Sequence, residues 1–149
     1  MILVVDASGI LRELLSRQVP RLLVHPDLDL LIAEHVLTET DRNLERRAQA
    51  IVQQGRLTVA EGHSLVDAGR AVIESTLIVV ARAFYAEKEI EARQRLESHC
   101  RDRDWPNVAL ALLLGRESEG IWTEDRDYWG CGCPTWSTAV LRRTVLGQP

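Results

Sequence analysis

Four apolar residues, Ile2-Leu3-Val4-Val5, run without a polar break and stop at Asp6. A strand with one wet face alternates apolar and polar residues. An unbroken, β-branched run instead describes a strand covered on both faces, as in a parallel sheet. Parallel strands cannot be joined by hairpins, and each pair needs a crossover, usually a helix. The chain should therefore alternate short apolar runs with helical stretches, and it does. Further strands are expected around 28–32, in "STLIVV", at 121–123 and at 134–136.

The intervening stretches carry helix signals. Ser8 is expected to cap a helix through about residue 19, with Leu11, Leu14 and Leu15 as its apolar stripe. A second helix is read from Thr38 to Gly55, with Thr38 and Asp41 resembling a capping box and Leu44, Ala48, Ile51 and Val52 on one face. A third runs from Thr58 to about Glu74, and residues 83–99 read as a charge-laced outer helix. In "DRDWPNVALALLLG", Pro106 suits a first turn, and residues 108–114 are apolar on every side, which describes a deeply buried helix. A last helix starts at Ser137. With no repeat, low-complexity tract or linker, residues 1–149 are expected to form one α/β domain, a sandwich with right-handed crossovers.

Charge and cysteines bound the function. A formal charge of −4 gives no net field that would attract nucleic acid. Lys88 is the only lysine beside seventeen arginines, a choice that suits phosphate contacts or reflects codon usage. The start lacks a basic segment and meets Asp6 early, so no secretion signal is read, and no stretch is long enough to span a bilayer. Three cysteines do not make a disulfide framework, and the cytoplasm is the expected compartment.

The acids lie at transitions between elements. Asp6 ends the first strand, Glu39 opens the helix after the second, and Asp104 begins the buried helix. Asp125 and Asp127 follow the strand at 121–123. In a parallel sheet, ligands bind outside the carboxyl ends of the strands, where these transitions converge. Singly, each acid has an ordinary explanation as a cap, turn or first-turn residue. Asp6 is harder to explain so, because a buried strand end without a local basic partner is an expensive place for a charge. Brought together, such carboxylates call for a hard, oxygen-seeking cation, Mg²⁺ or Mn²⁺. A cation there would bind phosphate oxygens and lower the pKa of a water. A rival zinc site from His99, Cys100, Cys131 and Cys133 departs from the usual finger spacings.

Four segments, "LVVDASGILREL", "AEHVLTETDRNLERR", "RDRDWPNVALALLLG" and "IWTEDRDYWGCGCPTWST", resemble the PIN domain family in the right order, closest to bacterial VapC-like proteins. The resemblance implies a three-layer α/β/α sandwich around a parallel sheet. It implies a Mg²⁺- or Mn²⁺-dependent endoribonuclease that cleaves RNA by metal-activated water. Many members are toxins neutralised by a small antitoxin protein. Position by position, the family acids fall on Asp6, Glu39, Asp104 and Asp125, with Asp127 an additional metal ligand and Ser8 and Thr123 supporting hydroxyls. Glu34 competes with Glu39, and Asp102 with Asp104. Asp6, Asp104 and Asp125 are expected to ligate the ion, with Glu39 acting through a water or a second ion, and Arg12, Arg42, Arg46 and Arg126 to rim the site. A non-catalytic module binding RNA or protein is the alternative. Four tryptophans, three of them between 122 and 136, serve either self-association as a homodimer or higher oligomer, or the local core. The face around residues 65–72 would seat an antitoxin helix if exposed.

Overall fold

The computed structural model describes residues 1–16 and 19–147. Five strands, β1 (Ile2–Val5), β2 (Asp29–Ala33), β3 (Leu77–Val80), β4 (Ile121–Trp122) and β5 (Thr135–Trp136), form one sheet in the order β3-β2-β1-β4-β5. Every pairing is parallel. The helices are α1 (Ala7–Leu14), α2 (Glu34–Gln53), α3 (Val59–Thr76), α4 (Arg82–Tyr85), α5 (Glu89–Arg95), α6 (Arg101–Leu114) and α7 (Thr138–Leu146). The chain steps outward from β1 to β2 to β3 through α1 and then α2 and α3. It returns across the sheet to β4 through α4, α5 and α6. Right-handed crossovers in opposite directions put the two helix groups on opposite faces, giving the α/β/α sandwich. The order reverses between β1 and β4, and Asp6 N–H still donates to the Trp122 carbonyl at 2.9 Å just beyond that pair.

The central strands are buried because both faces are covered: Leu3, Val4, Val5, Ile32, Ile121 and Trp122 are all closed to solvent. Trp122 lies against Gly9 of α1, where an added Cβ would sit 3.0 Å from its indole nitrogen. That nitrogen donates to the Thr138 hydroxyl at 3.0 Å, so one side chain ties α1 and α7 to β4. On the other face, α6 is buried from Asp104 through Ala111. Trp105, also buried, carries the guanidinium groups of Arg82 and Arg93 over its ring. Trp136 is partly buried and Trp129 is exposed, so the tryptophans divide between core and surface.

Several boundaries differ from the sequence reading. The first helix ends at Leu14 rather than near 19, and Asp6, not Ser8, is its N-cap. The second begins at Glu34, not Thr38. Thr38 lies inside it, its hydroxyl donating to the Glu34 carbonyl at 3.4 Å, and Asp41 pairs with Arg70 instead of capping. Tight strand-to-helix joining at Ala33 leaves no room for a capping turn, so Glu39 sits in the second turn. The third strand is an edge, with Ile78 53% and Val79 48% exposed, rather than a fully buried strand. The outer segment 83–99 breaks into α4, a short 3₁₀ turn and α5. Helix α6 starts at Arg101, which puts Pro106 in the second turn. The N–H missing there would have met the carbonyl of Asp102, whose side chain is 91% exposed. Leu113 near its end is 37% exposed, so the burial stops short of the predicted end. In α3, Thr58 and Glu61 make the capping box that the second helix lacks. Among the described residues, no helix is long and apolar enough to cross a membrane.

Candidate metal centre at the carboxyl edge of the sheet

The strand order reverses between β1 and β4, the place where a parallel sheet offers a ligand site at its carboxyl edge, and Asp6 follows the end of β1 there. Its residue is 9% exposed, and its carboxylate accepts five hydrogen bonds from uncharged donors. Oδ2 accepts from Ser8 N–H at 3.1 Å, from the Ser8 hydroxyl, and from the Thr123 hydroxyl at 3.0 Å. Oδ1 accepts from Asn107 Nδ2 at 3.2 Å and from the Tyr128 hydroxyl at 3.3 Å. Among the described residues, no arginine or lysine pairs with Asp6.

The two hydroxyls also receive. Ser8 Oγ accepts from Glu124 N–H at 2.9 Å, and Thr123 Oγ1 accepts from Asp125 N–H at 3.0 Å. Asp125 Oδ1 in turn accepts from Asp127 N–H at 3.0 Å, capping the short turn Arg126–Tyr128. Two small residues thus join the end of β1 to the loop after β4 and set where Asp125 and Asp127 stand. This places the charge-rich "TEDRD" over the sheet edge rather than in open solvent.

From the opposite face, α6 brings Asp104, 5% exposed. Carboxylate oxygens of Asp104, Asp125 and Asp127 all lie within 4.8 Å of one another. Burial raises the Asp104 pKa above its ordinary value. Hydrogen bonds and charge from Arg103 work against that rise, and the charges of Asp6 and Asp125 add to it. Arg103 bonds Asp104 with both arms of its fork, Nε at 2.9 Å and Nη2 at 3.1 Å. The same Nη2 lies 3.1 Å from Asp127 Oδ2 and 3.7 Å from Asp125 Oδ2. Its pKa is raised accordingly, first by the hydrogen bond to Asp104.

Glu39 stands outside this close group. It lies on α2, accepts weakly from Asn43 at 3.5 Å, and shares a shallow cavity with His35, Thr38, Arg42, Asn43 and Arg46. The competing residues are engaged elsewhere: Glu34 accepts from Arg82 N–H at 3.3 Å, and Asp102 pairs with Arg93. Of the arginines expected at the rim, Arg12 pairs with Glu124 and Arg126 covers Trp129. His99 and Cys100 meet Asp127 rather than Cys131 or Cys133, with His99 Nε2 3.4 Å from Asp127 Oδ1.

Sequence reasoning missed Arg103, Asn107 and Tyr128, and it put His99 with the cysteines rather than beside Asp127. Asn107 had a signal, being the one polar residue in the buried run "WPNVALALLL". Arg103 had none, since "RDRD" does not say which arginine turns inward.

The donor set fits a divalent metal. Three carboxylates, those of Asp104, Asp125 and Asp127, face the guanidinium of Arg103, and the charge of a fourth, Asp6, acts on Asp104, an excess of negative charge carried on hard oxygen ligands. Asn107 Oδ1 is buried beside Asp6 with no hydrogen-bond partner among the described residues, a position suited to a water held by such an ion.

In a comparison with known families, the PIN domain model matches residues 4–145. No curated protein matches the sequence.

Proposed function

Because the chain belongs to the PIN domain family, whose members are generally nucleases dependent on divalent metal ions, we propose that it is a Mg²⁺- or Mn²⁺-dependent endoribonuclease. The observation that carries this reading is the convergence of Asp104, Asp125 and Asp127 from two segments of chain within 4.8 Å, with the charge of Asp6 acting on Asp104 from the end of β1. A cation bound there supplies Lewis acidity toward a phosphodiester and lowers the pKa of a water.

The residues of the chain have separable duties. Asp104, Asp125 and Asp127 would hold the ion. Asp6, fixed by Ser8 and Thr123 on one oxygen and by Asn107 and Tyr128 on the other, would keep its charge aimed at the same point. Glu39 would act from the rim, through a water or a second ion. Arg42 and Arg46 line its cavity and offer donors to the nucleic-acid backbone. The finer reading, a VapC-like toxin held by a small antitoxin, rests on the sequence resemblance. Assembly into a homodimer or higher oligomer is supported by Ile78, Val79, Phe84 and Ile90, all about half exposed or more. Three free thiols accord with the expected cytoplasmic location.

The test is cleavage of single-stranded RNA by purified protein with Mn²⁺. Asp6→Asn and Asp125→Asn should each lower the rate by about a hundredfold or more. RNA cleavage undiminished by either change would remove this site from the reaction. Binding of RNA without turnover would favour the alternative, a non-catalytic module.

A further inference from the structure

Arg103 is placed where a metal would be. Its Nη2 atom alone faces oxygens of Asp104 at 3.1 Å, Asp127 at 3.1 Å and Asp125 at 3.7 Å. We propose that Arg103 is a displaceable internal counter-ion, which neutralises the three carboxylates until a divalent cation takes them and drives the guanidinium out. The proposal rests on the reading that Asp104, Asp125 and Asp127 are metal ligands.

Two features of the geometry support exchange rather than a permanent ion pair. Carboxylates bind Mg²⁺ at about 2.0–2.1 Å, so an ion shared by these oxygens would occupy the space that Nη2 fills. Two cations a few ångströms apart in a half-buried site repel strongly. The exposures are also unequal: the Arg103 side chain is 52% exposed, whereas that of Asp104 is 7% exposed. Arginine can therefore rotate into water without disturbing the core, while Asp104 must stay. Its partners, all three of them candidate ligands, hold it in only while they lack a better cation. The consequence is a site that keeps its shape without metal and loads only when the divalent ion outcompetes an arginine carried on the same helix.

The experiment is calorimetric titration of Mn²⁺ into metal-stripped full-length protein, as wild type, Arg103→Gln and Asp125→Asn. Arg103→Gln should bind Mn²⁺ about tenfold more tightly or better, a coupling of ordinary size for two sites that compete. Affinity equal to or weaker than wild type overturns the proposal. A second measurement needs no variant of Arg103 to fold. In wild type, the Arg103 Nε–H nitrogen resonance, protected by Asp104, should move to that of a solvent-exposed arginine on adding Mg²⁺; an unchanged resonance at saturating Mg²⁺ overturns it. Asp125→Asn separates the two readings. If wild-type Mn²⁺ binding survives that change, the metal lies elsewhere and the assignment of these carboxylates as its ligands fails, taking the proposal with it. If Asp125→Asn weakens Mn²⁺ binding while Arg103→Gln does not strengthen it, only the counter-ion proposal fails.

Discussion

Thr123 gives its hydroxyl proton to Asp6 at 3.0 Å and, through the same oxygen, takes the N–H of Asp125 at 3.0 Å. One side chain therefore fixes two acids that lie 119 positions apart in sequence (125 − 6 = 119). The switch point between β1 and β4 makes this reach short.

Thr123→Val keeps the shape and removes both bonds. The lost bond to the buried Asp6 should cost about 1–3 kcal/mol, and the one to the partly buried Asp125 less, seen as a lower urea midpoint at unchanged slope. Nuclease activity should fall further than stability does, because the loop bearing Asp125 loses its anchor. A variant with wild-type stability and rate would show that the hydroxyl positions nothing.

Gly9→Ala tests the packing that brings α1 against β4. The new methyl would stand 3.0–3.1 Å from three atoms of the fully buried Trp122 indole. That indole is held by its bond to Thr138, so relief must come from shifting α1. Overpacking of this kind costs about 1–3 kcal/mol, measurable as a depressed Tm. An unchanged Tm would mean that the helix and strand move apart freely.

Arg142→Met addresses a second buried charge, that of Glu13. Glu13 is completely buried, and Arg142 donates to its Oε1 from Nε at 3.0 Å and Nη2 at 2.6 Å. Removing the guanidinium leaves a buried carboxylate without its ion-pair partner, still accepting from Leu22 N–H at 3.2 Å, which should destabilise the fold by about 3–5 kcal/mol. Combining it with Glu13→Leu should recover much of the loss, since a well-packed apolar pair replaces ions at little net cost. Recovery in the double variant is read by chemical denaturation beside each single one.

Acid should weaken α3 from its first turn. Thr58 N–H and hydroxyl donate to Glu61, in that order of effect, and hold its carboxyl below its ordinary value near 4.5. A depressed folded pKa means that this stabilisation is complete above about 4.5 and is lost as pH falls through the lower folded value. Wild type and Glu61→Gln should therefore differ most in Tm near neutral pH and converge on acidification. A constant difference down to pH 2 would show that the glutamate charge has no part in the cap.

Much of this molecule could be read from residue order. An apolar run such as Ile2–Val5, bounded at once by Asp6, suits a strand covered on both faces, and the helix signals between such runs make the α/β alternation legible from local physics. The position of Asp6 at a strand end, and of Asp125 and Asp127 just past another, follows from the same runs. What local physics leaves open is which side chains meet once crossovers have been chosen. Thr38 and Asp41 satisfy a capping pattern, yet the strand β2 passes directly into helix at Glu34, and tertiary packing overrides the cap. Arg103 and Arg101 are equivalent in the sequence, but α6 turns Arg103 toward Asp104, Asp125 and Asp127. Sequence determined the strands and the acids at their ends, because burial and periodicity act over a few residues. Only the tertiary structure decided that one arginine would balance three acids, and that Asn107 and Tyr128 would hold a fourth, because those partners depend on charges brought together from opposite faces of the sheet.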